Sequence, residues 1–338
     1  MSKNSLLDRI LETSKSPYKN LLCDSEIFKG TESIPTSIPM LNVALSSQID
    51  GGLTHGITMI AGDTKRFKTL FGLHLMSAFQ KKYKDGVCIF YDTEAGITER
   101  YIENAEVDWK KVIHIPVNSI EILKTELINQ IELIKANKNK NDKVFIFIDS
   151  IGNLASKKEI DDAIKGDIKV DMTRAKQLKS LFRIITMDIN LLKIPLVCIN
   201  HTYKSQDFIQ QDIVGGGSGG QLASDTIWII SRKQEKDGDE IVGYDFFINV
   251  WKSRTVKEKI SKIPIRVFWK DGIHKFSGLS DLAIELGVVE KTKEEKEKVL
   301  KFEDKIVSVD AEDMNADFWN YVLEKSNLKQ LINEKYRI

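Results

Sequence analysis

The stretch from Gly56 to Leu75 constrains the rest of the chain most. Ile57 to Ala61 read as a buried strand, Gly62 to Thr69 as a loop spelled GDTKRFKT, and a helix opens at Lys68. In that order of elements the backbone folds into a nest of N–H groups at a helix N-terminus, whose partial positive charge attracts anions. Phosphate suits such a nest. Lys68 is placed to reach β- and γ-phosphates and Thr69 to offer a hydroxyl to Mg²⁺, the roles this motif gives its last two residues. One position departs. The strict pattern has a second glycine before the lysine, and here Phe67 stands there. On this stretch alone a strand and a helix joined by a basic loop fits as well, so other residues must decide.

With 338 residues and 42% hydrophobic content, the chain can bury one large core and carry a small piece at each end. Formal net charge is +1. Contact with nucleic acid therefore has to come from local loops and helix ends, not from a globally basic surface. Of the cysteines, Cys88 and Cys198 lie in apolar strand-like runs and Cys23 stands apart, with no metal-type spacing. They read as reduced residues of a cytosolic protein. The opening MSKNSLLDRILETS interrupts its apolar residues with charge, and no run is long enough to cross a bilayer. Neither a signal peptide nor a membrane span is expected.

Residues 1–35 hold a short amphipathic helix carrying Leu6, Leu7, Ile10 and Leu11, then a mixed segment around Ile27 and Phe28. This is too little to fold alone and is expected to dock on something else. From Ser37 strands and helices alternate. Strands are predicted at Ile57 to Ala61, Val87 to Tyr91, Val112 to Val117, Val144 to Asp149 and Pro195 to Asn200, and helices at Ile120 to Ala136 and Asp171 to Leu192. Strands this apolar, spaced by helices, form a mostly parallel sheet covered on both faces. The later runs Thr226 to Ile230, Tyr244 to Trp251 and Ile265 to Trp269 lack long helices between them, and Asp237-Gly238 and Asp271-Gly272 read as turns. Antiparallel strands are therefore expected at one edge. The expected division is an N-terminal piece over 1–35, an α/β core over 36–275 and a small helical region over 276–338. In that last region KTKEEKEK reads as a solvated helix face, and a last helix is expected to bury Phe318, Trp319, Val322, Leu328 and Leu331 where it docks.

Ligands of open α/β sheets bind beyond the carboxyl ends of the strands. Asp149 ends KVFIFIDS, where a carboxylate would complete the shell of a cation held by Thr69; taken by itself it is equally a helix cap. Glu94, in YDTEAG, is placed to orient and deprotonate an attacking water, and is otherwise a surface acid in a turn. Asn200 and His201 close IPLVCINH and are placed to sense a γ-phosphate, unless the histidine is structural. An aperiodic segment, TYKSQDFIQQDIV, follows and runs into GGGSGG at Gly215 to Gly220, and another loop follows Asp149. Long loops that start at such strand ends usually carry function.

Together these motifs resemble the RecA-type strand-exchange recombinases, and within them the UvsX branch carried by T-even-type phages. The likeness rests on GDTKRFKT, whose missing glycine that branch shares, and on FYDTEAGIT, FIDSIGNLASKKE, DMTRAKQLKSLFRI, INHTY, GGGSGG and KSRTVKEK. They run in the family's order from about Pro39 to Glu290. The resemblance implies a RecA-like P-loop NTPase core with small helical pieces at both ends, using ATP and Mg²⁺. Gly62, Asp63, Thr64, Lys65, Arg66 and Phe67 would cradle the triphosphate, with Lys68 and Thr69 on phosphate and metal, Asp149 as the Walker-B carboxylate and Glu94 as the base. Tyr101 stands where the family stacks an aromatic on adenine, although a core aromatic also fits. His201 follows the sensor Asn200 where bacterial RecA has glutamine.

Two DNA-binding loops are implied, the first from Ala155 to about Val170 with Ser156, Lys157 and Lys158, the second from Thr202 to Gly216 with Tyr203, Lys204, Gly215 and Gly216. Backbone N–H groups and Arg174, Lys176 and Arg183 on the following helix would hold DNA phosphates, unless these three mark an exposed helix face. Lys252 and Arg254, in WKSR, match the pair that reaches a neighbouring subunit's γ-phosphate. The implied partners are single-stranded and double-stranded DNA, further copies of the chain in a helical filament, a phage single-stranded-DNA-binding protein and a recombination mediator, all in the bacterial host cytoplasm. The family also implies an acidic C-terminal tail, whereas this sequence closes on Tyr336-Arg337-Ile338. Two other readings are a ring helicase motor on the same core, which the short N-terminal piece disfavours, and a filament protein with a decayed site. Intact Lys68, Thr69, Glu94 and Asp149 disfavour the second.

Overall fold

The computed structural model describes residues 5–25, 32–137, 139, 142–166, 172–205, 212–237, 240–258, 262–268, 272–294, 297–309 and 312–338. Their contacts divide into two units, Met1–Glu32 and Ser33–Ile338, and each is described by itself. The first holds helix α1 (Leu6–Thr13), opened by a capping box in which the Ser5 hydroxyl accepts from the Asp8 N–H. None of its residues is buried, and Leu6, Leu7 and Ile10 are exposed. Ile27 and Phe28 lie outside the described residues.

In the second unit the chain runs α2 (Pro39–Ser46), β1 (Gly56–Gly62), α3 (Lys68–Lys82), β2 (Val87–Asp92), α4 (Glu99–Asn104), β3 (Val112–Pro116), α5 (Ile120–Asn137) and β4 (Val144–Asp149). It continues through α6 (Lys157–Lys165), α7 (Thr173–Leu191), β5 (Pro195–Lys204), β6 (Asp212–Val214), α8 (Ser218–Ala223), β7 (Thr226–Asp237), β8 (Glu240–Lys252), β9 (Lys262–Phe268) and β10 (Gly272–Ile273). These strands form one sheet in the order β10-β9-β8-β7-β1-β5-β4-β2-β3, with β6 paired to β5. Strands β7, β1, β5, β4, β2 and β3 pair in parallel, and β8, β9 and β10 extend one edge antiparallel, as the sequence predicts. Trp269, Gly238 and Asp271, expected in the last strand and its turns, lie outside the described residues.

Alternation along each strand sorts side chains to two cores. Ile60, Cys88, Phe90, Phe145 and Phe147 face α2, α3 and the C-terminal elements. Ile57, Met59, Ala61, Ile89, Tyr91, Ile146 and Ile148 face α5 and α7. Both faces of the central strands are therefore dry, which is why they read as unbroken apolar runs. Among the described residues no helix is long and apolar enough to cross a membrane.

The C-terminal region departs from expectation. Between α9 (Leu279–Glu285) and two final helices lie β11 (Glu290–Glu294), β12 (Glu297–Phe302) and β13 (Lys305–Ser308), a three-stranded antiparallel sheet. The described residues of KTKEEKEK thus lie on two paired strands, not on a helix face. Its lysines and glutamates by themselves favour helix. The short apolar runs beside them decide, because Val299, Leu300 and Val307 are buried and Glu303 takes the left-handed conformation of a tight turn between β12 and β13. The predicted last helix is two, α10 (Ala316–Lys325) and α11 (Leu328–Tyr336). Phe318, Trp319, Val322 and Leu328 are buried as expected, whereas Leu331 is only half-buried and Ile332 and Tyr336 take the inner face.

Helix α3 lies close on the sheet because Gly72 faces Phe147. A Cβ at Gly72 would fall 2.4 Å from the Phe147 ring. Gly72→Ala should therefore cost roughly 1–3 kcal/mol, the scale of overpacking, despite alanine's better helix propensity. Gly96→Ala, with nothing within 4 Å of the added carbon, serves as the control. Urea midpoints for the two variants check this, and equal midpoints would contradict the close approach.

Candidate active site

Parallel register brings four strand ends to one edge of the sheet. Gly62 pairs with His201 across β1 and β5, and Asp92 with Asp149 across β2 and β4. The loop after β1 and the first turn of α3 close over them. Thr64, Lys65, Arg66, Phe67, Lys68, Thr69, Glu94, Tyr101, Asp149 and His201 line one cavity of about 180 Å³. Gly62 and Asp63 precede this lining in the chain and are not part of it, and the Lys68 Nζ donates to the Asp63 carbonyl at 2.9 Å. Lys68 is buried, and burial lowers its pKa against the pull of Glu94 and Asp149. The departure at Phe67 is a departure in side chain only. Its φ of 52° keeps the left-handed backbone that a glycine adopts freely. Its ring packs against Phe246 at 5.5 Å and Tyr101 at 6.1 Å.

Thr69 Oγ1 donates to Asp149 Oδ2 at 2.6 Å. Burial pushes the Asp149 carboxyl up to about 6, opposed by the Thr69 hydrogen bond and reinforced by the charges of Glu94 and Asp92. The Glu94 carboxylate is held the other way. His201 Nε2 lies 3.3 Å from its Oε1 and Ser150 Oγ donates to the same oxygen at 2.6 Å. The hydrogen bond from His201 first, then that from Ser150, holds Glu94 down to about 2 against partial burial.

Sequence reasoning missed the residues that shape this arrangement. Asp92 Oδ1 accepts from the N–H groups of Glu94 and Ala95 at 2.9 and 2.8 Å, fixing the turn that carries Glu94, while His114 Nε2 lies 3.1 Å from Oδ2. Thr93 clips the β2 and β4 ends together: its hydroxyl donates to the Ser150 carbonyl at 2.9 Å and accepts from the Ser150 N–H at 2.8 Å. The Asp-x-Glu spacing in YDTEAG, a turn signature, was the available signal for Asp92.

A RecA N-terminal domain profile matches residues 21–274, which is most of the chain and all of the cavity. This chain belongs to the RecA family. It is 46% identical over 290 residues to the recombination and repair protein of Enterobacteria phage T4, covering 86% of this chain and 73% of that protein. Against the RecA proteins of Ruminococcus albus and Cereibacter sphaeroides identity is 27% over 268 residues and 26% over 269. Those matches cover 77% of this chain in each case, and 63% and 73% of the respective relatives.

Several residues that the RecA resemblance assigned to ligands have other duties. Asn200 is buried, and its amide donates to the Gly215 carbonyl at 2.9 Å, so it ties down the end of the second loop and does not line the cavity. Ser156 is fully buried and caps α6, accepting from the Glu159 N–H at 3.0 Å. Arg174 Nη2 donates to the carbonyls of Ile151 and Gly152 at 2.9 and 2.7 Å, bracing the turn after β4 instead of standing on an open helix face. Lys157, Lys158, Lys176 and Arg183 are exposed. The second loop is more regular than expected at its base: β5 continues to Lys204 and pairs with β6 through Thr202 and Val214, Tyr203 and Ile213, and Lys204 and Asp212. Gly215 and Gly216 follow, while 167–171 and 206–211 lie outside the described residues.

Lys252 and Arg254 are absent from the cavity lining. The Lys252 Nζ donates to the carbonyls of Gln221 and Leu222, at 2.9 and 3.1 Å, at the end of α8. Arg254 pairs with Asp225 at 2.7 Å, and Asp225 accepts from the Ile57 N–H at 2.9 Å. Arg254 therefore sits by the first residues of β1, about 16 Å along the strand from the phosphate loop at its other end, and Lys252 pairs with Ile227 of β7, level with Met59.

The Asp149 environment predicts stability that depends on pH. A carboxyl raised from 3.8 to about 6 on folding favours the folded state while neutral, and that contribution is lost as pH rises through about 6. Asp149→Asn should thus be more stable than wild type at pH 7.5 without nucleotide or Mg²⁺, by on the order of 3 kcal/mol. The advantage should vanish towards pH 4. Thermal unfolding across that range checks it, and a pH-independent difference would contradict the burial of the charge.

Proposed function

We propose that this protein is an ATP-dependent recombinase that assembles on single-stranded DNA, pairs it with homologous duplex, and hydrolyses ATP under DNA stimulation. One observation carries the ATPase reading: Lys68, Thr69, Asp149 and Glu94, from three separate stretches of sequence, face a single cavity. The names of its relatives, RecA and a phage recombination and repair protein, support the recombinase role. The phosphate loop would hold the triphosphate of ATP, with Lys68 on the β- and γ-phosphates.

The residues present fit a magnesium ion. Asp149 and Thr69 lie side by side, and a nearby cation would offset the burial and like-charge repulsion that raise the Asp149 pKa. When bound, it would neutralise charge on the phosphate oxygens. Glu94 is the base in this reading. In its present partnership it is too acidic to take a proton from water well, since a base works best with a pKa near the working pH. His201 turning from Glu94 to the γ-phosphate would free it, which links hydrolysis to the nucleotide's presence. Asn200, next in the chain, carries the same movement to Gly215 and the second DNA loop.

DNA would be held by backbone N–H groups of the two loops with Lys157, Lys158, Lys176, Arg183, Tyr203 and Lys204. Lys252 and Arg254 would serve the neighbouring subunit's site, since both are anchored away from their own cavity, one at the end of α8 and the other at Asp225. In this reading residues 1–35 join neighbouring subunits, 36–275 form the ATPase core and 276–338 a small C-terminal domain. A phage single-stranded-DNA-binding protein, a mediator and the host cytoplasm complete the setting.

Two predictions test it. Glu94→Gln should bind ATP and coat DNA, with turnover down about 10² or more; unchanged turnover would place the base elsewhere. The Lys252→Ala/Arg254→Ala protein should lose roughly 10³ in DNA-stimulated turnover. Mixed with Lys68→Ala protein, it should recover part of the activity, because some interfaces then join an intact loop to intact basic residues. Mixtures that stay inactive while electron micrographs show co-assembled filaments would return these residues to a role within their own subunit.

A further inference from the structure

The phosphate loop holds two residues with side chains in left-handed backbone, Lys65 at φ 55° and Phe67 at φ 52°. A Cβ disfavours that conformation, so surrounding contacts must over-determine it. Phe67 is fixed by its ring on Phe246. Lys65 is fixed from β7. Gly62 pairs with Ile230, so Arg232, two residues on and on the same face, projects past the end of β1 towards the loop. Its Nη1 donates to the Lys65 carbonyl at 3.0 Å, and its guanidinium carbon lies 4.4 Å from the centre of the Tyr244 ring on β8. A planar guanidinium can stack and donate together, whereas an ammonium cannot fill both roles in one fixed geometry.

We propose that Arg232 is a positioning residue for nucleotide binding: resting on Tyr244, it pins the Lys65 carbonyl and thereby aims the loop's N–H groups at phosphate. Arg232 touches no substrate. It substitutes, through a tertiary contact, for the conformational preference that a glycine-rich loop has by itself. The inference rests on reading GDTKRFKT as the ATP site.

The test uses full-length protein, a fluorescent ATP analogue titrated without DNA, and steady-state turnover with DNA. Arg232→Ala should weaken the analogue about tenfold, about 1.4 kcal/mol, with turnover at saturating ATP within about threefold of wild type. Tyr244→Leu should weaken binding in the same direction, and Arg232→Lys should recover part of the loss. In a Lys65→Gly background the Arg232→Ala loss should shrink to about threefold, because glycine adopts the pinned conformation unaided. Should Arg232→Ala melt far below wild type, Arg232→Lys and Tyr244→Leu carry the test. Binding within about twofold of wild type, an equal loss in both backgrounds, or a fall in turnover with unchanged binding would each overturn the proposal. Lys68→Ala separates the two readings: if it binds the analogue normally, the ATP site itself is misassigned, whatever Arg232 does.

Discussion

Everything at the candidate site depends on the parallel pairing of β1 with β5 and of β2 with β4. That register puts Gly62 level with His201 and Asp92 level with Asp149, at one edge of the sheet. Parallel strands with dry faces cannot slip by a residue without turning their apolar side chains into the wrong core. The two cores therefore fix the chemistry. The residues that meet at the cavity are polar because the strands run out of core there, and helix α3 starts where β1 ends. Deep burial of Asp149 follows directly, and so does its raised pKa.

A site assembled this way is charged before any ligand arrives. Asp149 is held against burial and against two neighbouring acids, and Lys68 is buried with a lowered pKa. Such a cluster costs stability that ordinary core packing offsets elsewhere, the common pattern at functional sites. Glu94 is the exception, because His201 and Ser150 stabilise its charge. One acid is thereby kept reluctant to ionise and another reluctant to accept a proton, within the same cavity. In the proposed cycle the nucleotide reverses both conditions, offering a cation to the first and drawing His201 from the second.

Much of this was legible in the sequence. Periodicity located β1 to β4 to within a residue, since buried parallel strands leave unbroken apolar runs, but it ended β5 four residues and β7 seven residues early, where the strands leave the core; motif order picked out Lys68, Thr69, Glu94 and Asp149, which meet at one cavity. What escaped had no periodic signal. Thr93 and Ser150 bond through backbone groups that only the β2 and β4 register brings near, whereas Asp92 caps a local turn that its own spacing in YDTEAG signals. Ser156 reads as a polar loop residue and Arg174 as part of a helix face, yet one caps a helix and the other braces a turn. KTKEEKEK misled because lysine and glutamate favour helix by themselves, whereas its strands depend on buried neighbours such as Leu300. Arg232 lay in a strand that was predicted to stop at Ile230.

The same geometry that closes one site leaves it short of positive charge. Lys68 is the one cation in the cavity lining that is buried, whereas Arg66 leans on Asp63. A triphosphate undergoing transfer needs more compensation than a single buried lysine gives. Lys252 and Arg254 carry suitable charge, but they are anchored beside α8 and the start of β1. Within one copy these anchors keep them from the phosphates. Between copies stacked along an axis, the start of one β1 can face the loop that ends another. In the proposed reading, a fold that anchors Lys252 and Arg254 away from their own phosphate loop would make hydrolysis conditional on assembly. Because Lys252 holds the end of α8, which follows the second loop, a neighbour's nucleotide would compete with α8 for that lysine. Nucleotide state and DNA-loop position would then be coupled across each interface.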